Sequence, residues 1–121
     1  MYLIVLGVPD MAEYWSSLVG KVNGGTANKT ECDAYKKIGK AMKLLSENPR
    51  HPGLNSHEIG QLTKRYGTKV WESYLENNKP KAGRIFWVYG PDQGKITIIG
   101  VEPHPEDKGN AYKKITLSEM P

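Results

Sequence analysis

The stretch Arg84–Pro105, RIFWVYGPDQGKITIIGVEPHP, decides the predicted fold. Two runs rich in β-branched and aromatic residues, Arg84–Tyr89 and Lys95–Val101, flank the turn sequence Gly90–Gly94. This pattern predicts a β-hairpin, with Pro91 favouring the turn between its strands. Both faces of the two strands are largely apolar. We therefore expect the hairpin to be central in a sheet and covered on at least one side.

The register of this hairpin determines which polar side chains lie together. We expect Tyr89 to pair with Lys95 across the turn. Arg84 then lies opposite Gly100, with Glu102 diagonal to it. A cross-strand ion pair between Arg84 and Glu102 is one structural role that this register allows.

The rest of the chain predicts a strand, two helices and further strands. Apolar residues at helical spacing, each run beginning with a capping residue, indicate the helices, and alternating or short apolar runs indicate the strands. The helices are predicted from residue 10 to about 19 or 22 and from residue 30 to 48, and the strands at Tyr2–Leu6, Ser56–Lys64 and Lys69–Leu75. A short helix is also predicted within Ala111–Met120.

This order of elements predicts a single α+β domain over residues 1–121. We expect a small antiparallel sheet in β-α-α-β-β-β order, with the two N-terminal helices packed on one face. The short polar connection between Lys69–Leu75 and Arg84–Tyr89 predicts that these two strands lie side by side and antiparallel. Helices on both faces of the sheet, or a parallel central pair of strands, would contradict this fold.

Composition narrows the possible classes of function. Cys32 is the only cysteine, which excludes an intramolecular disulfide and a cysteine metal cluster and favours a reducing cytoplasmic location. The three histidines do not follow the spacing of usual zinc sites. No apolar run is long enough to span a membrane, and the N-terminal run lacks the basic region of a signal peptide. We therefore expect no metal, no small-molecule cofactor and no membrane association.

The charge of the chain is concentrated in its middle. The formal net charge is +4, but residues 36–84 hold eleven Lys/Arg against four Asp/Glu, a local excess of seven positive charges. Such a distribution predicts one electropositive face, suited to nucleic acid or to an acidic protein. A solvated lysine-rich surface without a partner is the alternative.

The second half of the sequence resembles the RelE/ParE superfamily of bacterial toxins, in particular a RelE-like, cyanobacterial-type subgroup. The resemblance covers roughly residues 36–105, and the N-terminal third matches by element order only. The matching segments are Asn48–Leu54, Lys69–Tyr74, Arg84–Pro91, Ile96–Ile99 and Pro103–Pro105.

This resemblance implies a toxin of a toxin–antitoxin pair. Members of the RelE branch are ribosome-dependent, metal-independent mRNA endonucleases, and members of the ParE branch inhibit DNA gyrase. Both are held inactive by a cognate antitoxin protein, which here would cover the basic face or a sheet edge. The expected partners are therefore this antitoxin and, for a RelE-like chain, the ribosome and mRNA. A ParE-like or catalytically silent chain that acts only by binding protein is the alternative.

The resemblance also implies candidate catalytic residues. Arg84 matches the family's arginine at the start of the penultimate strand, where a guanidinium binds phosphate. His104 lies where some RelE-branch toxins carry a catalytic histidine, although it could instead fix the sheet edge. Pro52 stands where one RelE-branch group has a glutamate base, which leaves His51 or His57 as substitutes. Both histidines also have a structural interpretation.

Four further residues are candidates for binding RNA. Lys64, Arg65 and Lys69 form a basic cluster that could contact the phosphate backbone, or simply a solvated surface. Tyr89, at the end of its strand, could stack on a base or only pack against the core.

Overall fold

The computed structural model describes residues 1–76, 83–102 and 117–121. Within these ranges the chain forms three α-helices and a five-stranded mixed sheet. A short 3-10 turn, Pro52–Leu54, follows the second helix. In chain order the elements are β1 (Leu3–Leu6), α1 (Asp10–Asn23), α2 (Lys29–Glu47), β2 (His57–Glu58), α3 (Gly60–Tyr66), β3 (Trp71–Tyr74), β4 (Arg84–Tyr89) and β5 (Lys95–Glu102).

The sheet has the strand order β1-β5-β4-β3-β2. The β4–β5 hairpin lies in its centre, and β3 lies beside β4 in the antiparallel direction, which confirms both predictions. The prediction of a purely antiparallel sheet is wrong, because β1 pairs with β5 in parallel. Parallel neighbours need a long crossover between them, and the chain between β1 and β5 supplies one that includes α1 and α2.

The two long helices pack together on one face of the sheet, as predicted. Each carries an apolar stripe at helical spacing, and burial of these stripes against the central strands is what stabilises the helices. The core on this face consists of Met11 and Leu18 from α1, Ile38, Ala41 and Leu45 from α2, and Ile85, Trp87, Ile96 and Ile98 from the sheet.

The third helix corrects the predicted strand at Ser56–Lys64. Only His57–Glu58 pairs as a strand, and Gly60–Tyr66 is helical. Leu62 and Tyr66 lie one turn apart on the helix side that packs on the other face of the sheet. Gly67 ends the helix in the left-handed conformation, with φ of 74°. Helices therefore cover both faces, contrary to the prediction, and α3 interrupts the simple β-α-α-β-β-β order.

A β-bulge shifts the predicted register of the hairpin. Ladder pairs change by one residue between Phe86 and Trp87, so that Phe86 lies opposite Gly100 and Trp87 opposite Ile98. The extra residue in β5 falls between these two pairs, where a bulge adds local twist. Beyond the bulge Arg84 lies opposite Glu102 rather than Gly100, and at the turn end Tyr89 pairs with Ile96 rather than Lys95.

The C-terminal residues complete the second face of the sheet. Ser118 Oγ accepts a hydrogen bond from the backbone N–H of Met11 in the first turn of α1, and Val8 and Glu119 form an isolated antiparallel bridge. Leu117 packs into the core beneath α3. The predicted helix within Ala111–Met120 is not observed at residues 117–120, and residues 111–116 lie outside the described ranges.

Candidate functional site

A buried group of charged side chains lies on the α3 face of the sheet. Glu72 on β3 is fully buried, and Arg84 on the neighbouring strand β4 is 3% exposed. Arg84 Nη1 donates a hydrogen bond to Glu72 Oε1, and His57 Nε2 on β2 lies 3.0 Å from the same oxygen. Strand pairing explains the grouping, because His57 lies opposite Glu72, and Glu72 and Arg84 project from the same face of the sheet. We call these three residues the buried ion cluster.

His57 connects the buried ion cluster to solvent. Its side chain is 43% exposed, and its Nδ1 lies 2.8 Å from the backbone oxygen of Asn55. Both ring nitrogens therefore face oxygen acceptors, an arrangement in which the protonated imidazole donates at both positions. The ring also makes an edge contact with Tyr74, at 6.0 Å between centroids. His57 is thus fixed in orientation by three neighbours.

The ion pair of Arg84 differs from the one that the sequence allowed. Its partner is Glu72, on the strand to one side, whereas Glu102 is its ladder neighbour on the other side. Burial raises the pKa of Glu102, the opposite of what an adjacent arginine would do. Arg84 therefore has a structural role as the counter-charge of a buried carboxylate. Its predicted contact with phosphate would require that this pair open.

The raised pKa of Glu102 makes the stability of the protein depend on pH. Because its folded-state pKa is raised above the usual 4.5, the folded state holds the proton more tightly than the unfolded chain does. Its contribution to stability is present below about pH 4.5 and is lost as the pH rises through the raised pKa. We expect Glu102→Gln to raise the Tm at pH 7 and to leave it unchanged at pH 3, where both side chains are neutral. Equal melting temperatures of the unchanged protein and Glu102→Gln at pH 7 would contradict the desolvation of the Glu102 carboxylate.

A second constellation, the aromatic cleft, lies on the opposite face of the sheet. It is an open cleft of about 270 Å³ at the end of β4 and the start of β3. One wall consists of residues 49–56, the connector between α2 and β2. Aromatic residues of the sheet form the other wall. Its lining residues are Pro49, Arg50, His51, Pro52, Asn55, Ser56, Trp71, Trp87 and Tyr89.

Three aromatic rings form the sheet side of the cleft. Trp71 and Trp87, paired across β3 and β4, are stacked at 5.8 Å with an angle of 17° between their planes. Tyr89 stands at about a right angle to both, with centroid distances of 6.3 Å and 5.0 Å. Trp87 is 1% exposed, whereas Tyr89 is 39% exposed. The cleft therefore has a rigid floor and one ring that is accessible from solvent.

A chain of hydrogen bonds holds the connector over these rings. Trp87 Nε1 donates to Ser73 Oγ at 2.8 Å, and Ser73 Oγ lies 2.7 Å from Ser56 Oγ. Ser56 Oγ donates its proton to the backbone oxygen of Pro49 at 2.7 Å, so Ser73 is the donor to Ser56. Both ends of the connector are thereby tied to the sheet, which fixes the width of the cleft.

His51 is oriented within the cleft by its own backbone turn. It is the N-cap of the 3-10 turn, and its Nδ1 accepts the Gly53 N–H at 3.0 Å. An accepting Nδ1 places the proton of the neutral ring on Nε2. His51 also lines an adjoining groove of about 660 Å³, which we call the lysine groove. Its other lining residues are Lys36, Lys37, Lys40, Leu44, Gly53, Tyr74, Leu75 and Glu76.

Arg50 adds a permanent positive charge to the cleft. Burial, followed by the neighbouring Tyr2, raises the pKa of Tyr89, and Arg50 opposes this by its charge and by a hydrogen bond to the tyrosine side chain. The ring of Tyr2 lies 5.7 Å from that of Tyr89. The cleft thus combines stacking surface, a cation and an oriented imidazole, which is a combination suited to a nucleotide.

The predicted site residues fall into separate places. Arg84 and His57 meet in the buried ion cluster, and His51 and Tyr89 meet in the aromatic cleft on the opposite face. The predicted RNA contacts Lys64 and Arg65 lie exposed in the last turn of α3, and Lys69 lies exposed just before β3. The structure does not bring this basic cluster together with the cleft. His104 lies outside the described residues.

Two charged and two aromatic residues of the two constellations are not among the predicted site residues. Arg50 had one signal, its place next to His51 between two prolines. For Glu72 the signal in the sequence is its place on the same strand face as Tyr74, because a carboxylate on a covered face needs a counter-charge. Trp71 and Trp87 belong to the apolar faces of β3 and β4 that pack in the core, and only the fold of the connector turns their edges into a cleft.

Two general features of the described residues bear on possible ligands. Nowhere in residues 1–76, 83–102 and 117–121 do three His, Cys, Asp or Glu side chains group as metal ligands. No helix within the same ranges has the length and apolar character needed to cross a membrane.

Comparisons of this chain with protein families, with curated proteins and with solved structures found no significant match.

Proposed function

We propose that this chain is a RelE-like toxin of a bacterial toxin–antitoxin pair, a ribosome-dependent and metal-independent mRNA endonuclease. One observation supports this function above the others. The aromatic cleft holds an oriented histidine, His51, beside Arg50 and an exposed tyrosine ring, at the end of a groove lined by lysines. The resemblance of residues 36–105 to RelE-branch toxins supports the same class.

The chemistry of metal-free RNA cleavage matches the residues of the cleft. A base must take the proton of the attacking 2′-hydroxyl, a cation must stabilise the charge on phosphorus, and an acid must serve the leaving 5′-oxygen. In this proposal His51 works in the tautomer that carries its proton on Nδ1, which releases the Gly53 N–H; its Nε2 takes the 2′-hydroxyl proton and returns it to the leaving 5′-oxygen. Arg50 faces the phosphate. The lysine groove binds the backbone of the strand that leaves the cleft.

Arg84 has a different role in this proposal from the one that the resemblance implies. Because Glu72 neutralises it in a buried pair, we assign Arg84 to holding β3, β4 and His57 in place. His104 remains a predicted catalytic residue, and Lys64, Arg65 and Lys69 remain predicted RNA-binding residues. The cognate antitoxin would bind a basic surface or a sheet edge and block access to mRNA.

A second candidate function has its own supporting observation. Arg84, the residue that matches the family's catalytic arginine, is 3% exposed and ion-paired. A chain whose matching arginine serves only the fold is compatible with a ParE-like function, or with one exerted purely by forming a complex with an antitoxin. Such a protein needs a binding surface but no proton transfer.

Induced expression separates these functions. The chain is expressed in bacteria with and without the neighbouring reading frame, and growth and the 5′ ends of transcripts are followed. We expect growth arrest with new transcript ends inside coding regions, and relief of both when the neighbouring protein is present and co-purifies. Arrest without new transcript ends would support the binding-only function. Normal growth, with no retained partner, would contradict both.

A further inference from the structure

We propose that the aromatic cleft binds one unpaired nucleobase of single-stranded RNA, and that the strand continues into the lysine groove. This inference rests on the proposed function and specifies how the RNA is held. It assigns a ligand to Tyr89, Trp71 and Arg50 together.

The dimensions of the cleft suit one flat ring system. Its volume of about 270 Å³ lies just below the roughly 300–1,000 Å³ that is usual for small-molecule sites. The stacked pair of Trp71 and Trp87 closes the bottom, and the connector closes one side. A cleft of this volume accommodates one base against the exposed ring of Tyr89, and most of a larger ligand would remain in solvent.

The polar groups of the cleft also fit a base. The Nε1–H of Trp71 is buried and has no hydrogen-bond acceptor among the described residues. Buried donors normally have a partner, and in our proposal a small rotation of the Trp71 ring on binding brings this donor to the carbonyl and ring-nitrogen acceptors of a base edge. The 39% exposed ring of Tyr89 offers the face on which such a base can stack.

Charge favours a phosphate strand over a neutral ligand. His51 lines both the cleft and the lysine groove, so the two adjoin at this residue. Glu76, the one carboxylate among the described residues that line the groove, is paired with Lys37 at 3.0 Å. Lys36 and Lys40 are exposed, lie one helical turn apart and form no ion pair with a described residue. Two cations are therefore available to the phosphates of a strand that leaves the cleft.

Binding of short oligonucleotides to the purified protein tests this site without ribosomes. Single-stranded tetraribonucleotides of each base are titrated at about 0.1 M salt, with tryptophan fluorescence and anisotropy as readouts. We expect quenching, since Trp71 and Trp87 lie in the cleft. Tyr89→Leu is expected to weaken binding by about tenfold or more, the usual effect of losing a base–aromatic stack. Lys36→Ala and Lys40→Ala are expected to weaken it for all sequences and to reduce its salt dependence.

Matched variants decide whether the cleft is responsible. Tyr14 on α1 is 44% exposed, close to Tyr89, but does not line the cleft, so Tyr14→Leu should bind as the unchanged protein does. Lys29→Ala is the control for charge, because Lys29 is exposed at the start of α2 and lines neither the cleft nor the lysine groove. An equal loss for Tyr14→Leu and Tyr89→Leu, or tighter binding of a polyglutamate peptide, would overturn the proposed site. Equal affinity for the matched DNA oligonucleotides would overturn the assignment to RNA.

The same measurements keep this inference separate from the proposed function. A protein that binds RNA through Tyr89 but yields no new transcript ends keeps its nucleobase site and is not an endonuclease. A protein that cleaves mRNA, but whose Tyr89→Leu variant binds oligonucleotides normally, is an endonuclease that holds RNA elsewhere.

Discussion

Glu72→Gln is expected to lower the free energy of unfolding by about 3–5 kcal/mol, the cost of removing one partner from a buried ion pair. Glu72 is fully buried and Arg84 is 3% exposed, so the guanidinium loses its counter-charge where water cannot replace it. Glutamine has nearly the same size as glutamate, and therefore the loss reports charge rather than a cavity. Urea unfolding at pH 7, followed by circular dichroism, measures it.

Two further variants show whether burial is the cause. The ion pair of Lys37 and Glu76 has side chains 34% and 32% exposed, and Glu76→Gln is expected to cost no more than about 1 kcal/mol. Replacing both Glu72 and Arg84 by apolar residues, as Glu72→Leu with Arg84→Met, should recover most of the lost stability. If Glu72→Gln costs no more than Glu76→Gln, the buried ion cluster contributes little to the fold.

The double variant also separates the two roles considered for Arg84. Its fold should be retained, so its activity can be measured, which the single variants would not guarantee. If Arg84 stabilises the phosphate in the transition state, the double variant should cleave mRNA about 100-fold more slowly or worse. We expect cleavage to be retained, because we assign Arg84 to the fold.

The central hairpin could be predicted because its signals are local. The runs Arg84–Tyr89 and Lys95–Val101 consist almost entirely of strand-forming residues, and the turn between them contains proline and glycine. The neighbouring strand followed from a short connection, and the two long helices followed from the spacing of apolar residues. Each of these features depends on residues within a few positions of one another.

The features that could not be predicted depend on distant parts of the chain. Ser56–Lys64 holds too few apolar residues to distinguish a strand from a short helix. The chain is helical from Gly60 onward because Leu62 packs on the second face of the sheet. The parallel pairing of β1 with β5 joins residues about ninety positions apart. The composition of the sequence does not indicate the bulge beside Phe86. Gly100 lies opposite Phe86, at a position where a Cβ atom would clash with Leu117.

The candidate site shows the same division between local and distant information. Strand alternation alone indicates that Glu72 shares a face with Tyr74, and the ion pair with Arg84 then follows from the pairing of β3 with β4. The aromatic cleft has no such local signal. It exists because the connector that carries Arg50 and His51 folds back over Trp71 and Trp87 and is tied there by Ser56 and Ser73.

His51→Asn is expected to reduce ribosome-dependent cleavage of mRNA by about 100-fold or more, the usual contribution of a proton-transferring side chain. In the structure His51 Nδ1 caps the 3-10 turn by accepting the Gly53 N–H at 3.0 Å. Asparagine is a favourable capping residue, and its side-chain oxygen can accept the same hydrogen bond. The substitution therefore keeps the turn and removes only the second ring nitrogen, which carries the chemistry in our proposal. Transcript ends mapped in a reconstituted translation reaction measure the rate, and thermal melting measures the fold.

His57→Asn is the matched control, because it removes an imidazole from the opposite face of the sheet. His57 contacts Glu72 at 3.0 Å, so we expect this variant to lose some stability and to keep its cleavage rate. The reverse result, a slow His57→Asn beside a fully active His51→Asn, would move the chemistry to the buried ion cluster and restore Arg84 as its cation. Full activity in both variants would remove both histidines from the mechanism and leave His104 as the predicted acid or base. Because both variants carry the same substitution, a difference between their rates can be attributed to position.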